Sequence, residues 1–347
     1  MKVIHVVFAM KYGGIETMLV NIANEQINYA DVSIIMINDS YDQKLIKNLN
    51  KKIKFINIGR PTASKNPYYV AKLNFLIWKL NPDIIHSHIG SIISYIFPMF
   101  RKKSVFTVHS IPSKKHLQFV HKYTAVCAIS SIVQNQLGIV GCPSKLIVNG
   151  INVDSFDCCV QTNDSIFRIV QVGRLLYSCK GQDLLIEACH ILVNEGICNL
   201  KIDFIGDGVD REYLQELVKK YNLESYITFY GSKEPDFIEK NLKNYSLFVQ
   251  PSRYEGFGLT VAEAMAAKIP VLVSGQEGPM EIIENGKCGF YFESENVDNL
   301  VNSIKNIMQY DRMGMLQIVD RAYDRVKSLY DVKITANRYI ELYNELM

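Results

Sequence analysis

Residues 248–263 read FVQPSRYEGFGLTVAE, and this stretch combines the end of a strand, a glycine turn and the start of a helix. The apolar residues up to Val249 predict a buried strand. Gly256 and Gly258 predict a tight turn, and Leu259 begins a predicted helix. The first N–H groups of a helix lack intrahelical partners and carry partial positive charge. The turn is therefore predicted to hold an anion, and a phosphate is the obvious candidate.

Two carboxylates bracket this predicted anion site. Glu255 lies before the turn, and Glu263 lies inside the helix, eight residues later. Eight helical residues span about 12 Å, and a folded turn shortens that distance. Two carboxylates at this spacing suit hydroxyl groups on either side of a diphosphate, which is the layout of a nucleotide sugar. The alternative is a solvated pair of glutamates on an ordinary helix.

An earlier strand-to-helix connection carries two cations. A strand is predicted over 167–172, and Gly173 and Arg174 follow it directly. Lys180 comes just before the next predicted helix. Both side chains could donate charge-assisted hydrogen bonds to a diphosphate and neutralise the charge on a departing nucleotide. The alternative is a pair of surface cations in a loop.

The N-terminal half begins with a similar arrangement. A strand is predicted over 2–8, and Gly13 and Gly14 precede a predicted helix over 15–28. A glycine pair between a strand and a helix is a candidate phosphate or sugar site. Many α/β proteins turn on glycines, however, so this pair alone is a weak signal.

Three histidines of the N-terminal half follow predicted strands. His109 ends the strand predicted over 104–109, and open α/β sheets bind ligands at the carboxyl ends of their strands. A core histidine paired with backbone groups is the alternative. His86 and His88 end another strand, and their spacing suggests a metal site. No third ligand is evident, so a structural or acceptor-side role is favoured for these two.

Length and composition indicate two globular domains. The chain has 347 residues, of which 48% are hydrophobic and 21% charged, as in ordinary soluble domains. Strands alternate with helices in both halves, which predicts two doubly wound parallel sheets. The turn at Asn149-Gly150 places the boundary near residue 152. The expected parts are residues 1–152, residues 153–330 and a C-terminal helix over 331–347.

Charge is distributed unevenly along the chain. Residues 1–150 contain 18 Lys or Arg and 6 Asp or Glu, a balance of +12, and the remaining residues contain 20 and 29, a balance of −9. Basic surface attracts anionic membrane headgroups through salt-sensitive fields. No nucleic-acid-binding motif accompanies the charge, so no nucleic acid is expected. The alternative is a solvated basic face without a partner.

The remaining composition points to the cytoplasm. No apolar run approaches the roughly 18 residues that span a bilayer, and the apolar start of the chain reads as a first strand rather than a signal peptide. The eight cysteines have no metal-type spacing and read as reduced thiols. The expected location is cytoplasmic, with peripheral contact at the inner face of the cell membrane as an extension.

The segment PSRYEGFGLTVAEAMA, which contains Glu255 and Glu263, resembles the signature of family-4 retaining glycosyltransferases. The resemblance extends over nearly the whole chain. It implies the α/β GT-B fold, in which two Rossmann-like domains face a central cleft. The N-terminal domain would bind the acceptor, the C-terminal domain the nucleotide sugar, and the last helix would cross back to the first domain.

The resemblance also implies roles for the motif residues. His109, Arg174, Lys180 and Glu255 would act at the reacting centre, and Glu263 would bind the ribose hydroxyls. The donor would be held by residues of three glycine loops, namely Gly13, Gly14, Gly173, Arg174, Lys180, Glu255, Gly256, Phe257, Gly258, Leu259, Thr260 and Glu263.

The implied reaction moves a hexosyl or N-acetylhexosaminyl group from a nucleotide sugar to a hydroxyl group, with retention of the anomeric configuration. UDP-sugars are favoured as donors, followed by GDP-mannose. The expected acceptor is a lipid-linked or other oligosaccharide of capsule, exopolysaccharide or lipopolysaccharide assembly, and no metal or cofactor is expected. A non-catalytic nucleotide-sugar-binding relative is the alternative. A nicotinamide-dependent dehydrogenase is disfavoured, because the first turn lacks the Gly-x-Gly-x-x-Gly fingerprint.

Overall fold

The computed structural model describes residues 1–11, 13–112, 114–158, 166–275 and 277–347, without the side chains of 114–116 and 277. The chain divides into two compact units. Unit 1 comprises Met1–Asn152 and Tyr330–Met347, and unit 2 comprises Val153–Leu329.

Unit 1 contains a parallel sheet with helices between its strands. The strands are β1 (Lys2–Val7), β2 (Asp31–Asn38), β3 (Lys54–Arg60), β4 (Ile84–Ser87), β5 (Ser104–Val108), β6 (Ala125–Ala128) and β7 (Lys145–Leu146). The helices are α1 (Gly14–Gln26), α2 (Gln43–Lys47), α3 (Tyr68–Leu80), α4 (Lys114–Val120) and α5 (Ser131–Ile139), with 3₁₀ turns at Gly90–Tyr95 and Pro98–Lys103. The strand order is β3-β2-β1-β4-β5-β6-β7.

Unit 2 repeats this plan. Its strands are β8 (Phe167–Val172), β9 (Leu200–Ile205), β10 (Ile227–Gly231), β11 (Leu247–Gln250), β12 (Val271–Ser274) and β13 (Phe290–Phe292), in the order β10-β9-β8-β11-β12-β13. The helices are α6 (Tyr177–Lys180), α7 (Gln182–Asn194), α8 (Arg211–Lys220), α9 (Pro235–Asn241), α10 (Leu259–Ala266), α11 (Glu277–Ile282), α12 (Val297–Met308) and α13 (Arg312–Leu329).

The central strands of both sheets are almost wholly apolar, because helices cover both faces of a parallel sheet. Every residue of β11 is buried, and β1 is buried from Val3 to Val7. All pairings between the described strands are parallel. The prediction of two doubly wound parallel sheets is therefore confirmed. The elements that were not predicted include the very short strands β7 and β13 and the helix α13.

The last helix, α14 (Val332–Glu345), belongs to unit 1 and packs against α1. Its Tyr339 and Tyr343 are fully buried. The Tyr339 hydroxyl lies 2.8 Å from Thr107 Oγ1, and the Tyr343 hydroxyl lies 2.6 Å from His86 Nδ1. The helix therefore completes the core of unit 1 with two large side chains whose polar ends are paired.

No helix within the described ranges combines the length and the apolar content needed to cross a membrane. The seven cysteines in those ranges are free.

Replacement of Tyr343 tests this role of α14. We expect Tyr343→Ala to lower the free energy of unfolding by about 3–5 kcal/mol, because it leaves a cavity in the core. Tyr343→Phe keeps the ring and leaves His86 Nδ1 without its hydroxyl partner, so a loss of about 1–3 kcal/mol is expected. Urea denaturation followed by circular dichroism measures both. Tyr29→Ala, at a tyrosine that is 58% exposed, is the control, and an equal effect at both tyrosines would contradict the assignment.

Candidate active site

The turn after β11 leads into a helix whose first amides have no side-chain cap. Gly258 is the N-cap of α10 and has a φ of 105°, a conformation that favours glycine. It provides no side-chain acceptor for the first-turn N–H groups, which include those of Leu259 and Thr260. An anion can therefore take the place of the missing cap.

Four side chains form one polar network beside this turn. Lys180 Nζ is ion-paired with Glu255 Oε2, and both side chains are largely buried. Gln250 Nε2 donates to the same carboxylate oxygen at 2.7 Å, and its Oε1 accepts from Thr260 Oγ1 at 2.7 Å. Lys180 and Glu255 were predicted as separate donor contacts, and in the structure they bind each other.

A glycine allows Lys180 to approach the turn. Gly181 has a φ of 66°, and a Cβ atom on it would lie 1.9 Å from the carbonyl oxygen of Pro251. Only glycine lets the end of α6 come this close to the end of β11. Gln171 at the end of β8 donates to the Lys180 carbonyl at 2.8 Å and anchors the same loop.

Arg174 lies on this loop and is exposed. No side chain in the described ranges pairs with its guanidinium group, whereas its carbonyl oxygen accepts from Gln182 Nε2 at 2.9 Å. The preceding Gly173 packs against Gly206, where a Cβ atom would lie 1.9 Å from the Gly173 carbonyl oxygen. The loop is thus fixed through its backbone, and the guanidinium group is left for a ligand.

The carboxylate of Glu263 differs from that of Glu255, because it is not part of an ion pair within the described ranges. Glu263 is partly buried, and its carboxylate group forms no hydrogen bond or ion pair with any described residue. Burial raises its pKa to about 7, and the nearby charge of Glu239 adds to the increase. A desolvated carboxylate without a partner is well suited to accept hydrogen bonds from a diol.

Arg253 is a site-forming residue that the sequence analysis did not identify. Its Nη1 and Nη2 atoms donate to the two carboxylate oxygens of Asp183, each at 2.8 Å, and Nη1 also donates to the Tyr177 carbonyl at 2.7 Å. A bidentate pair of this kind has a fixed geometry. It ties the turn after β11 to α6 and α7, which hold Lys180.

Phe257, which was predicted to contact the donor, is buried. It is only 3% exposed and packs in the core. The turn is also tightly packed from outside. A Cβ atom on Gly278 would lie 2.5 Å from the Glu255 carbonyl oxygen.

In unit 1, Gly13 is the N-cap of α1, and Gly14 is its first residue. Gly13 has an extended backbone, and its carbonyl oxygen accepts from the Thr17 amide at 3.0 Å. The Glu16 carboxylate lies 2.7 Å from the position of a Gly13 Cβ atom. A carboxylate at this helix start repels phosphate and suits a hydroxyl group.

His109 stands at the end of a buried chain of histidines that the sequence analysis missed in part. His88 Nδ1 lies 3.0 Å from His109 Nε2, and His88 Nε2 lies 3.0 Å from His5 Nδ1. His5 Nε2 lies 2.8 Å from Gln26 Oε1. His5 was not identified because it becomes a neighbour of His86 only through the pairing of β1 with β4.

Burial keeps these histidines neutral. It lowers the pKa of His5 to about 4 and that of His109 to about 3. The pKa values of His86 and His88 also lie well below the ordinary value, first because of burial and then because of the neighbouring histidines. A neutral imidazole carries one N–H donor and one acceptor, so each histidine–histidine bond fixes the next tautomer.

Gln26 sets the direction of the hydrogen bonds along the chain of histidines. Its Oε1 accepts from His5 Nε2, while its Nε2 donates to the Tyr343 hydroxyl at 3.4 Å. His5 Nδ1 then accepts from His88, and His88 Nδ1 accepts from the Nε2–H of His109. His109 Nδ1 is left as a buried acceptor with no partner in the described ranges.

His5, His86 and His88 have ligand atoms within 4.8 Å of one another, which is close enough for a metal ion. All six of their ring nitrogens already lie within hydrogen-bond distance of Gln26, Tyr343, Thr107 or a histidine. A metal would have to displace these bonds. The cluster is therefore best described as a hydrogen-bond network.

Comparison with known proteins identifies the family and the fold. A family model described as Glycosyltransferase Family 4 matches residues 12–155, and one described as Glycosyl transferases group 1 matches residues 161–319. The solved structure of HepE from Anabaena in complex with UDP and glucose is similar, with a TM-score of 0.83, 21% identity and 99% of each chain covered. The fold is that of the GT-B glycosyltransferases.

Two curated relatives match along most of their length. An uncharacterized glycosyltransferase of Methanocaldococcus jannaschii is 25% identical over 92% of this chain and 91% of the relative. The lipopolysaccharide 1,6-galactosyltransferase of Salmonella typhimurium is 24% identical over 96% of each chain. The chain belongs to glycosyltransferase family 4, the group 1 glycosyl transferases, and is an enzyme of the hexosyltransferase class.

The histidine chain predicts a definite tautomer for His109. We expect His5, His88 and His109 to carry their protons on Nε2, because Gln26 Oε1 accepts the first bond of the chain. Two-dimensional ¹H–¹⁵N correlation spectra of histidine-labelled protein distinguish the two tautomers. Gln26→Leu removes the anchor and should allow a mixture at His109, whereas a proton on Nδ1 in the unaltered protein would contradict the assignment.

The raised pKa of Glu263 predicts that this residue lowers the stability of the folded protein in a pH-dependent way. The folded state keeps a proton that an unfolded glutamate, with a pKa near 4.5, releases, so stability falls as the pH rises from about 4.5 to 7. Glu263→Gln removes this cost. We expect the variant to be more stable than the unaltered protein by up to about 3 kcal/mol at pH 8, and by much less at pH 5.

Urea denaturation at the two pH values measures this difference. Glu216→Gln, at an exposed glutamate of α8, is the matched control. A stability difference that is the same at pH 5 and pH 8 would contradict the burial of an ionisable Glu263.

Proposed function

We propose that this glycosyltransferase transfers a hexosyl or N-acetylhexosaminyl group from a nucleotide sugar to a hydroxyl group. UDP-sugars are favoured over GDP-mannose as donors. The proposed acceptor is a lipid-linked or other oligosaccharide in bacterial surface polysaccharide biosynthesis. The network of Lys180, Glu255, Gln250 and Thr260 beside the uncapped start of α10 carries the proposal. It brings a cation, a carboxylate and helix-start amides without a side-chain cap to one turn.

Unit 2 would bind the donor. The diphosphate would accept hydrogen bonds from the amides at the start of α10 and from Lys180 and Arg174. Glu263 would accept from the ribose hydroxyls, and Glu255 from hydroxyls of the sugar. When the donor binds, the ammonium group of Lys180 would interact with the phosphate as well as with Glu255. Gln250 would still hold the Glu255 carboxylate in place.

In the proposed reaction, the bond between the anomeric carbon and the phosphate oxygen breaks, and a bond to the acceptor oxygen forms on the same face of the sugar. The acceptor proton passes to the departing diphosphate. The two cations would stabilise the charge that develops on the leaving group, which is usually the largest electrostatic contribution of such sites. Glu255 is held by a cation and an amide, which suits an orienting group rather than a nucleophile.

Unit 1 would supply neutral contacts. The Nδ1 acceptor of His109 would receive a hydrogen bond from a sugar hydroxyl near the reacting centre. Gly13 and Gly14 would lie against the donor, as the resemblance to the family implies.

Two relatives support the donor and acceptor classes. The Anabaena protein of similar fold was solved with UDP and glucose, and the Salmonella relative is a lipopolysaccharide galactosyltransferase. A thermal-shift titration with UDP-, GDP- and ADP-sugars and with NAD tests the donor class, because a ligand of the folded state raises apparent stability. A shift with NAD and with no sugar nucleotide would overturn the proposal.

Removal of either member of the ion pair should abolish transfer. We expect Lys180→Ala and Glu255→Ala to lower kcat/KM by about 10²–10³-fold or more, because each removes a charge at the reacting centre. Transfer is measured as UDP release in the presence of acceptor. Lys305→Ala, which breaks an ion pair with Glu195 elsewhere in unit 2, is the matched control.

Near-normal turnover in both site variants would contradict the site assignment. Donor binding without turnover in the unaltered protein, over a broad acceptor panel, would instead identify a non-catalytic binding relative.

A further inference from the structure

Helix α3 exposes aromatic side chains on the face that points away from the sheet. Leu73 and Ile77 are buried under the helix, as expected for its inner face. Tyr68, Phe75 and Trp78 are 60%, 55% and 63% exposed. The solvent face of a helix in a soluble protein normally carries charged and polar residues, so this exposure needs a cause.

The 3₁₀ turn at Pro98–Lys103 extends the exposed surface. Phe97 and Met99 are 45% and 71% exposed. Asn74 of α3 joins this turn to the helix, because its Nδ2 donates to the Tyr95 carbonyl at 2.8 Å and its Oδ1 accepts from the Phe97 amide at 2.7 Å. We call Tyr68, Phe75, Trp78, Phe97 and Met99 the aromatic patch.

The charges on the elements that carry the patch all have one sign. Residues 43–82 contain nine Lys or Arg and no Asp or Glu, and Asp83 is the only acidic residue between Asp42 and Asp154. The cations on the two patch elements and just before α3 are Lys65, Lys72, Lys79, Arg101, Lys102 and Lys103. Lys103 Nζ also donates to the Pro82 carbonyl at 3.2 Å, which ties the end of the turn to the end of α3.

We propose that the aromatic patch docks unit 1 on the surface of an anionic lipid bilayer. Aromatic side chains, tryptophan above all, favour the boundary between headgroups and acyl chains. Lysines and arginines around them attract anionic headgroups and extend their charged ends into the headgroup layer. The inference rests on the proposed function in one respect, since a lipid-linked acceptor gives the enzyme a reason to work at a membrane.

The charge argues against a second copy of this chain as the occupant of the patch. A two-fold symmetric interface places each surface opposite its own copy. The cations around the patch would then face one another without a compensating acidic residue. Protein interfaces in general are also depleted of lysine. A bilayer with anionic lipids instead supplies the missing negative charge.

The single tryptophan of the chain makes the proposal directly testable. Trp78 fluorescence is recorded while the intact protein is mixed with phosphatidylcholine vesicles, with and without phosphatidylglycerol. We expect a blue shift and quenching by brominated acyl chains with the anionic vesicles alone, and a reversal at high salt. An unshifted spectrum would overturn the proposal, even if the protein sediments with the vesicles through another surface.

Matched variants separate the two contributions to binding. Phe75→Ser should weaken vesicle affinity at least about tenfold, whereas Tyr29→Ser, at a tyrosine of similar exposure, should not. Lys102→Glu with Lys103→Glu should abolish binding. Lys219→Glu with Lys220→Glu changes the net charge equally on the exposed face of α8 and should have a much smaller effect. Equal effects of the two charge reversals would overturn the proposal.

Donor binding is measured in the same preparations, so that a failure of membrane docking can be distinguished from a failure of the proposed function. A protein that binds a UDP-sugar but leaves Trp78 unshifted contradicts membrane docking alone. A protein that shifts with vesicles but binds no sugar nucleotide contradicts the donor assignment alone. A blue shift that depends on protein concentration without vesicles, together with a dimer in analytical ultracentrifugation, would assign the patch to a second copy.

Discussion

The donor half of the site depends on how closely the backbone after β8 approaches the turn after β11. A Cβ atom on Gly181 would lie 1.9 Å from the Pro251 carbonyl oxygen, so the contact exists only because residue 181 is a glycine. This approach brings Lys180 to Glu255 across 75 residues of sequence. The bidentate pair of Arg253 with Asp183 holds the same two segments from the other side. Rigid placement of this kind is what an electrostatic site requires, because its groups then need no reorganisation when charge develops.

The contact between Lys180 and Glu255 also affects the net charge of the site's own residues. Glu255 is neutralised by Lys180, and burial holds the pKa of Glu263 at about 7, so that its charge is only partly developed near neutral pH. The guanidinium group of Arg174 has no side-chain partner among the described residues. The site is therefore biased towards positive charge although it contains two carboxylates and two cations. On the proposed function, an anionic diphosphate would correct this imbalance, and hydrogen bonds from hydroxyl groups would favour the ionised form of Glu263.

Local sequence signals predicted the fold and the glycine loops, because a buried strand, a glycine and a helix start all leave marks within about ten residues. Contacts that depend on sheet register or on distant segments left no such mark. His5 reaches His88 through the pairing of β1 with β4, and the direction of the chain depends on Gln26 and on Tyr343, which is contributed by the last helix. The exposure of the aromatic residues of α3 could likewise not be predicted from the sequence. The helix, YYVAKLNFLIWKL, is apolar on both faces, and only packing shows which face is covered.

The two units differ in the kind of chemistry their residues can perform. Four histidines packed in the core of unit 1 are stable only while they are neutral, because a proton on one of them would be a buried charge beside three other rings. His109 can therefore orient a hydroxyl group by accepting a hydrogen bond, but it cannot stabilise a departing phosphate with charge. In unit 2 Arg174 and Lys180 are cationic side chains on a loop fixed by glycines and glutamine amides. On the proposed function, unit 1 orients the reacting hydroxyls and unit 2 stabilises the leaving group, which separates the neutral and the charged tasks of the transfer.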